Sequence, residues 1–364
     1  MKICNKCILN DNYPGIVFDE NGTCSICNEQ RTYKPFGEEK LLAILKEAKN
    51  RKSKYDALVP LSGGKDSAYI LHLAVNVFKM KVLTMTYDNG FFSQIALDNI
   101  KRAIEITKAE HIFRKPDLEL QKKISRIMIL NSGDICGSCD IGTKVNILKV
   151  AQEYSVPVIL YGTSPLENDS FVPDSIQDIA RFKYILTTSK EITKKEINNF
   201  LIYPNLNLFL ISFYKRIGKF PKEVCPLFYI KNPTDKEMGD IIAKELDWKE
   251  DKSREYSKHF DCFAEPLTNY IRNKIYGYER RICQYSNMIR RNEISREKAL
   301  ELYAADKIES KPANYQKVLS YLSLTEENLA TIEKIPPLKY QSHTSKIDGL
   351  FAKIMKIKQM KNGR

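Results

Sequence analysis

The sequence of 364 residues predicts an α/β fold: a doubly wound parallel sheet with a small cysteine-rich knuckle before it and a helical region after it. Three observations lead there. Between about residues 55 and 164, apolar β-rich runs alternate with segments of helical periodicity, the pattern of a parallel sheet covered on both faces. The first 27 residues hold two CxxC pairs. After about residue 170 the pattern becomes mostly helical with short loops.

Residues 1–35 contain "CNKC" and "CSIC" around "ILNDNYPGIVFDENGT", in which "DENG" signals a turn between short extended pieces. A segment this small cannot bury enough surface to fold by itself, whereas four thiolates at this spacing suit a tetrahedral zinc. Cys4, Cys7, Cys24 and Cys27 are therefore expected to form a structural N-terminal zinc knuckle. Four protein ligands leave no open position for chemistry.

The sheet follows. "YDALVPL" is a strand and "SGGKDS" a loop, and the helix behind it has apolar positions at Tyr69, Ile70, Leu73 and Val77. "KVLTMTYDNG" is the second strand, "NIKRAIEITKA" a helix and "HIFRKP" a short strand. Helical segments lie on either side of residue 136, and "VPVILYGTS" is the closing strand. In such sheets ligands bind beyond the carboxyl ends of the strands. Ser62 to Ser67, Asp88 to Gly90 and Gly162 to Ser164 all fall at that edge. Farther on, Thr234 and Glu237 form a capping-box pattern, and Ser295 begins another helix.

"SGGKDS" is built for an anion. Gly63 and Gly64 let backbone approach a ligand, and the amides at the following helix N-terminus face it with the helix dipole behind them. Lys65 adds positive charge, Ser62 and Ser67 offer hydroxyl donors, and Asp66 can orient the loop or hold magnesium. The stretch does not match G-x-x-x-x-G-K-[ST], so it is not a Walker A loop. Asp88 and Asn89 can meet a nucleoside or simply make a turn, and Gly162 and Thr163 are candidates for the same crevice.

At every fixed position "SGGKDS" resembles the PP-loop, S-G-G-x-D-S, of the ATP pyrophosphatases. The resemblance implies an adenine nucleotide alpha hydrolase-like fold that cleaves ATP between its alpha and beta phosphates, with Mg2+, and adenylates a substrate oxygen. Lys65 and Asp66 are then the candidate catalytic residues. Two more stretches, "CNKCILNDNYPGIVFDENGTCSICN" and "NKIYGYERRICQYSNMIRRNEISREKALELY", resemble one branch, the N-acetyl sugar amidotransferases of surface polysaccharide biosynthesis. That family implies conversion of an N-acetyl group on a nucleotide-linked or free sugar to an acetamidino group, with ammonia from a separate glutaminase subunit. None of the four histidines, His72, His111, His259 and His343, shows a local glutaminase motif. His259, in "KHFDC", is the best catalytic candidate among them.

"CGSCDIG" opens a competing reading. Some PP-loop enzymes are thiolases that insert sulfur, for example into tRNA, and certain of them hold an iron–sulfur cluster on a CxxC pair plus one distant cysteine. Cys136, Cys139 and Cys225 are the candidates, and three ligands would leave one iron open. Alternatively Cys262 completes a second structural Cys4 zinc site, the CxxC is a redox pair, or the thiols are small core residues. A non-catalytic nucleotide-binding or scaffold protein is the third possibility, opposed by the intact loop.

The formal charge of +13 favours an anionic partner, although lysine-rich composition alone can produce it. With no run of about 20 apolar residues and no signal-peptide stretch, the expected location is the cytoplasm. The nine cysteines are then expected to be reduced. The expected organisation is a knuckle at 1–35, an ATP-binding domain at 36–170, a helical substrate or partner region at 171–340, and a basic tail at 341–364.

Overall fold

A computed structural model describes residues 2–13, 15–29, 34–164, 179–201, 220–250, 261–278, 280–306 and 310–337. His259, His343 and the basic tail lie outside these.

The four anticipated strands form: β1 (Ala57–Pro60), β2 (Val82–Tyr87), β3 (Glu110–Arg114) and β4 (Val158–Leu160). A fifth, β5 (Lys222–Val224), comes from the region expected to be helical and pairs in parallel with β4 through Val158↔Lys222. The order is β3-β2-β1-β4-β5 with every pairing parallel. β1 and β4 are therefore neighbours on either side of the point where strand order reverses, which opens a crevice at their carboxyl ends.

Helix α1 (Ser25–Asn28) belongs to the knuckle, and α2 (Glu38–Asn50) precedes β1. α3 (Lys65–His72) leaves the SGGKDS loop, α4 (Gln94–Thr107) follows β2, and α5 (Leu118–Ser132) and α6 (Cys136–Glu153) follow β3. α3 runs into a π-helical stretch, Leu73–Val77. The wider turn shifts the helical phase, so Val77, expected inside, is 52% exposed. α7 (Ile179–Ser189) and α8 (Lys194–Leu201) cover α5 and α6 through Phe182, Ile185 and Ile197.

α9 (Asp235–Leu246) carries the capping box of Thr234 and Glu237 and buries Met238, Ile242 and Leu246 in the core shared with α3. Behind it come α10 (Glu265–Tyr276), α11 (Arg280–Arg290), α12 (Arg296–Asp306), α13 (Tyr315–Tyr321) and α14 (Glu326–Ile332). No helix among the described residues is long and apolar enough to cross a membrane.

The knuckle is seated on these late helices. Arg296 donates to the carbonyls of Cys4 and Cys7, Ser286 Oγ accepts from the Ile8 amide, and the amides of Asn10 and Asn12 donate to the Gly277 carbonyl. Ile8 and Leu9 fill an apolar floor of Tyr278, Tyr285 and Met288. Thus the two outer stretches that carry the family resemblance touch each other in the fold.

Candidate active site and cysteine centres

The SGGKDS loop turns at Gly63, whose φ of +78° is open to glycine and strained for any other residue. A Cβ there would also overlap the Ala96 carbonyl of α4. The Gly63 carbonyl accepts from Trp248 Nε1 at 2.9 Å and from Asn99 Nδ2 at 3.2 Å. Buried Asn99 also donates to the Lys249 carbonyl and accepts from the Lys249 amide, both at 2.9 Å, so it fastens the loop to the chain leaving α9. With its carbonyl anchored behind, the loop leaves the amides at the start of α3 for a ligand.

Ser62 and Ser67 face each other across the loop at 3.2 Å between hydroxyls. Ser67 Oγ donates to the Gly64 carbonyl and accepts from the Ser62 amide, and the Gly64 amide donates to Ser62 Oγ. Both serines line a cavity of about 490 Å³ at the carboxyl edge of the sheet. Thr163 lines it from the end of β4 and Asn89 from the end of β2.

Other expected residues take supporting positions. Lys65 is buried, with its ammonium held by Asp235 at the start of α9 and by Asp66 at 3.2 Å. Its charge is therefore shared with two carboxylates instead of standing free in the cavity. Gly162 packs on the loop: a Cβ there would come within 2.9 Å of the Asp66 carbonyl carbon. Asp88 closes a turn by accepting from the Gly90 amide at 3.1 Å.

Asp261 was not visible as a site residue in the sequence. Residues 261–263 pair with residues 91–93 after β2: the Ser93 amide donates to the Asp261 carbonyl at 3.0 Å, and the Phe263 amide to the Phe91 carbonyl at 2.9 Å. This places the Asp261 carboxyl against the loop, with its Oδ2 3.4 Å from where a Cβ on Gly64 would stand. Burial pushes that carboxyl up to about 6, against the lowering influence of Arg280 and Ser62.

Cys139 faces the same cavity from the first turn of α6, together with Thr143 and Lys144. Cys225, just beyond β5, and Cys262, next to Asp261, also line it. Cys262 lies near enough to Cys136 and Cys139 for charge on one thiol to bear on the others. Burial, followed by the neighbouring thiols, raises Cys139 and Cys262 above the ordinary thiol range, and burial raises Cys136 as well. Neither the expected trio with Cys225 nor a set with Cys262 gathers three sulfurs into a compact ligand group among the described residues, while Cys139, Cys225 and Cys262 share the cavity wall. α6 is aimed by Asp134, which accepts from the Cys136 amide at 2.9 Å and is flanked by buried Arg181 and Arg272.

Among the described residues, only Cys4, Cys7, Cys24 and Cys27 bring ligand atoms together, all within 4.8 Å of one another and all buried. Cys4 Sγ accepts from the amides of Cys7 and Cys24 at 3.4 and 3.3 Å, and Cys24 Sγ from the Cys27 amide at 3.4 Å. The quartet is a buried metal-binding group.

Residues 238–358 match the family model of the LPS biosynthesis protein WbpG-like, C-terminal domain. This C-terminal segment is WbpG-like. The match supports the sugar amidotransferase family that the sequence resembles, and the architecture is a five-stranded parallel sheet with helices, a buried cysteine quartet before it and a helical region after it. The WbpG-like segment includes Trp248, Asp261, Cys262 and Arg296, so it contributes to the backing of the SGGKDS loop, the cavity and the knuckle seat.

No curated protein matches the chain by sequence. Among solved structures, U34-tRNA thiolase NcsA from Methanococcus maripaludis with its 4Fe-4S cluster is 15% identical, covering 95% of this chain and 92% of that one, at a TM-score of 0.37. NMN synthetase from Francisella tularensis is 16% identical over 59% of this chain and 86% of that one, at 0.31. NH3-dependent NAD synthetase from Campylobacter jejuni is 15% identical over 49% and 90%, at 0.30. These are loose likenesses, and the chemistry is built from this chain's own residues.

Proposed function

We propose that the protein is an AMP-forming PP-loop enzyme that adenylates an amide oxygen, and that it acts as an N-acetyl sugar amidotransferase. The observation that carries this is the SGGKDS loop at the carboxyl end of β1, with Ser62 and Ser67 lining the cavity beside the β1–β4 crevice. The WbpG-like match to an LPS biosynthesis family supports a surface-sugar acceptor.

The α3 amides and the Ser62 and Ser67 hydroxyls hold the beta and gamma phosphates. The acetamido oxygen attacks the alpha phosphorus; an O–P bond forms, the bond to the beta-phosphate oxygen breaks, and pyrophosphate leaves with the electron pair. Ammonia then adds to the activated carbon, the C–O bond breaks, AMP departs, and the surplus proton leaves with solvent. Because phosphoryl chemistry depends on positioning and charge neutralisation, the loop and its backing supply most of what the first step needs. Magnesium, when bound, supplies countercharge to the phosphates. We further propose that a separate glutaminase subunit delivers the ammonia and that the N-terminal quartet holds zinc, with four closed positions and a structural role.

The test is incubation with ATP, ammonium and a panel of N-acetylated nucleotide sugars. The expected products are AMP, pyrophosphate and an acetamidino sugar; ADP with phosphate would exclude the AMP-forming step. A second reading, sulfur transfer to an acceptor such as tRNA, is favoured by one observation: Cys139, Cys225 and Cys262 open into the nucleotide cavity. Iron, sulfide and zinc analysis after anaerobic purification separates the two. Iron with sulfide supports the sulfur reading, and zinc alone the nitrogen reading.

A further inference from the structure

The loop that should receive a polyphosphate has a carboxylate set against it. A methyl group built on Gly64 would stand 3.4 Å from Asp261 Oδ2, and Asp261 lines the same cavity as Ser62 and Ser67. Asp261 is not an accidental visitor, because two backbone hydrogen bonds fix its segment to residues 91–93. Lys65 is already engaged by Asp235 and Asp66, so the cation that acts on Asp261 is Arg280 from the start of α11.

Like charges at such separation repel, and here the repulsion would fall on the ligand the loop is shaped to bind. A hard divalent cation reverses the sign of the contact, since it takes carboxylate and phosphate oxygens in one coordination shell. We propose that Asp261 is a ligand of the divalent cation that accompanies ATP, so that the WbpG-like segment completes the nucleotide site begun by the SGGKDS loop. This rests on the nucleotide-binding reading above. It assigns Asp261 a binding role that the loop motif does not contain.

The experiment is calorimetric titration of the full chain with α,β-methylene-ATP, in Mg2+ and in EDTA, for the wild type, Asp261→Asn and Asp261→Glu. Mn2+ binding is followed in parallel by electron paramagnetic resonance in the presence of the analogue. Asparagine keeps the shape while removing the charge. The wild type should bind more tightly with Mg2+ than without it. Asp261→Asn should lose at least ~10-fold of that gain, the low end for disturbing a metal's surroundings, with its EDTA affinity unchanged or higher. Its nucleotide-dependent Mn2+ signal should weaken in step.

Equal cation gain in wild type and Asp261→Asn, or no gain in the wild type, overturns the assignment and leaves nucleotide binding intact. A wild type that binds no analogue in either condition removes the nucleotide reading and this inference together. Should Asp261→Asn bind nothing at all, Asp261→Glu decides: restored Mg2+-dependent binding supports the ligand, and its failure rejects it.

Discussion

The Trp248 indole donates to the Gly63 carbonyl at 2.9 Å, so a residue 185 positions along the chain fixes the glycine on which the phosphate loop turns. Trp248→Phe keeps most of the ring and removes the donor. Because Asn99 still reaches the same carbonyl, the expected loss is about 1 kcal/mol of stability, the net worth of one hydrogen bond. Gly63→Ala should do far more, since it imposes a side chain on a φ of +78° and on the Ala96 carbonyl. Urea unfolding measures the first effect, and nucleotide titration should show binding abolished in the second.

Lys65 lies between Asp235 and Asp66; Lys65 and Asp235 are largely closed to water, and Asp66 keeps 29% of its side chain exposed. Lys65→Met would leave two carboxylates facing each other and should cost about 3 kcal/mol, the scale for breaking a buried pair. Adding Asp235→Asn should recover part of it. A double mutant as unstable as the sum of the singles would show that the pair is not coupled.

Asp66→Ala should abolish ATP turnover while the circular dichroism spectrum stays that of the wild type. The helix keeps its position because Gly162 packs on the backbone of residue 66 and not only on its side chain. Undiminished release of pyrophosphate would remove this loop from the reaction.

Metal analysis of Cys4→Ser, Cys24→Ser should show one equivalent fewer than the wild type. Acidification should release the same equivalent, because protons compete with a metal for thiolates. The docking of the knuckle on α11 and α12 makes a lowered Tm the accompanying result. An unchanged metal content would rule out the quartet as a metal site.

His111, on edge strand β3, binds Thr84 Oγ1 at 2.8 Å through Nδ1, and burial lowers its pKa to about 4. The ordinary imidazole value is about 6.5. Below that value the unfolded chain takes up a proton that the native chain refuses. Stability is therefore fully present above pH ~6.5 and lost progressively toward pH ~4, by at most about 3 kcal/mol. His111→Gln should flatten this window in denaturant titrations; an unaltered slope would assign the loss to other groups.

The strands most legible in the sequence were those buried on both faces. "ALVP", "VLTMTY" and "VIL" are apolar runs because the sheet is covered above and below. β5 has only "KEV", with Lys222 and Glu223 exposed, so no hydrophobic period marks it. The SGGKDS loop was legible because its signature is a run of adjacent residues. Its backing was not: Asn99, Trp248 and Asp235 act through contacts that no local spacing records. The place of Cys262 on the cavity could not be read from sequence, because it depends on the antiparallel pairing of residue 92 with residue 262.

The seat of the knuckle on the late helices has a practical consequence for dissecting the chain. The segment that matches the family model is not one the chain can shed and keep whole. Expressed alone, residues 238–358 would bare the aromatic floor of Tyr278 and Tyr285 and strand Arg296 without the carbonyls it binds. The inheritance boundary near residue 238 even cuts through α9, three residues after its first. What is portable in sequence is here inseparable in substance, so studies of the WbpG-like block belong in the full-length protein.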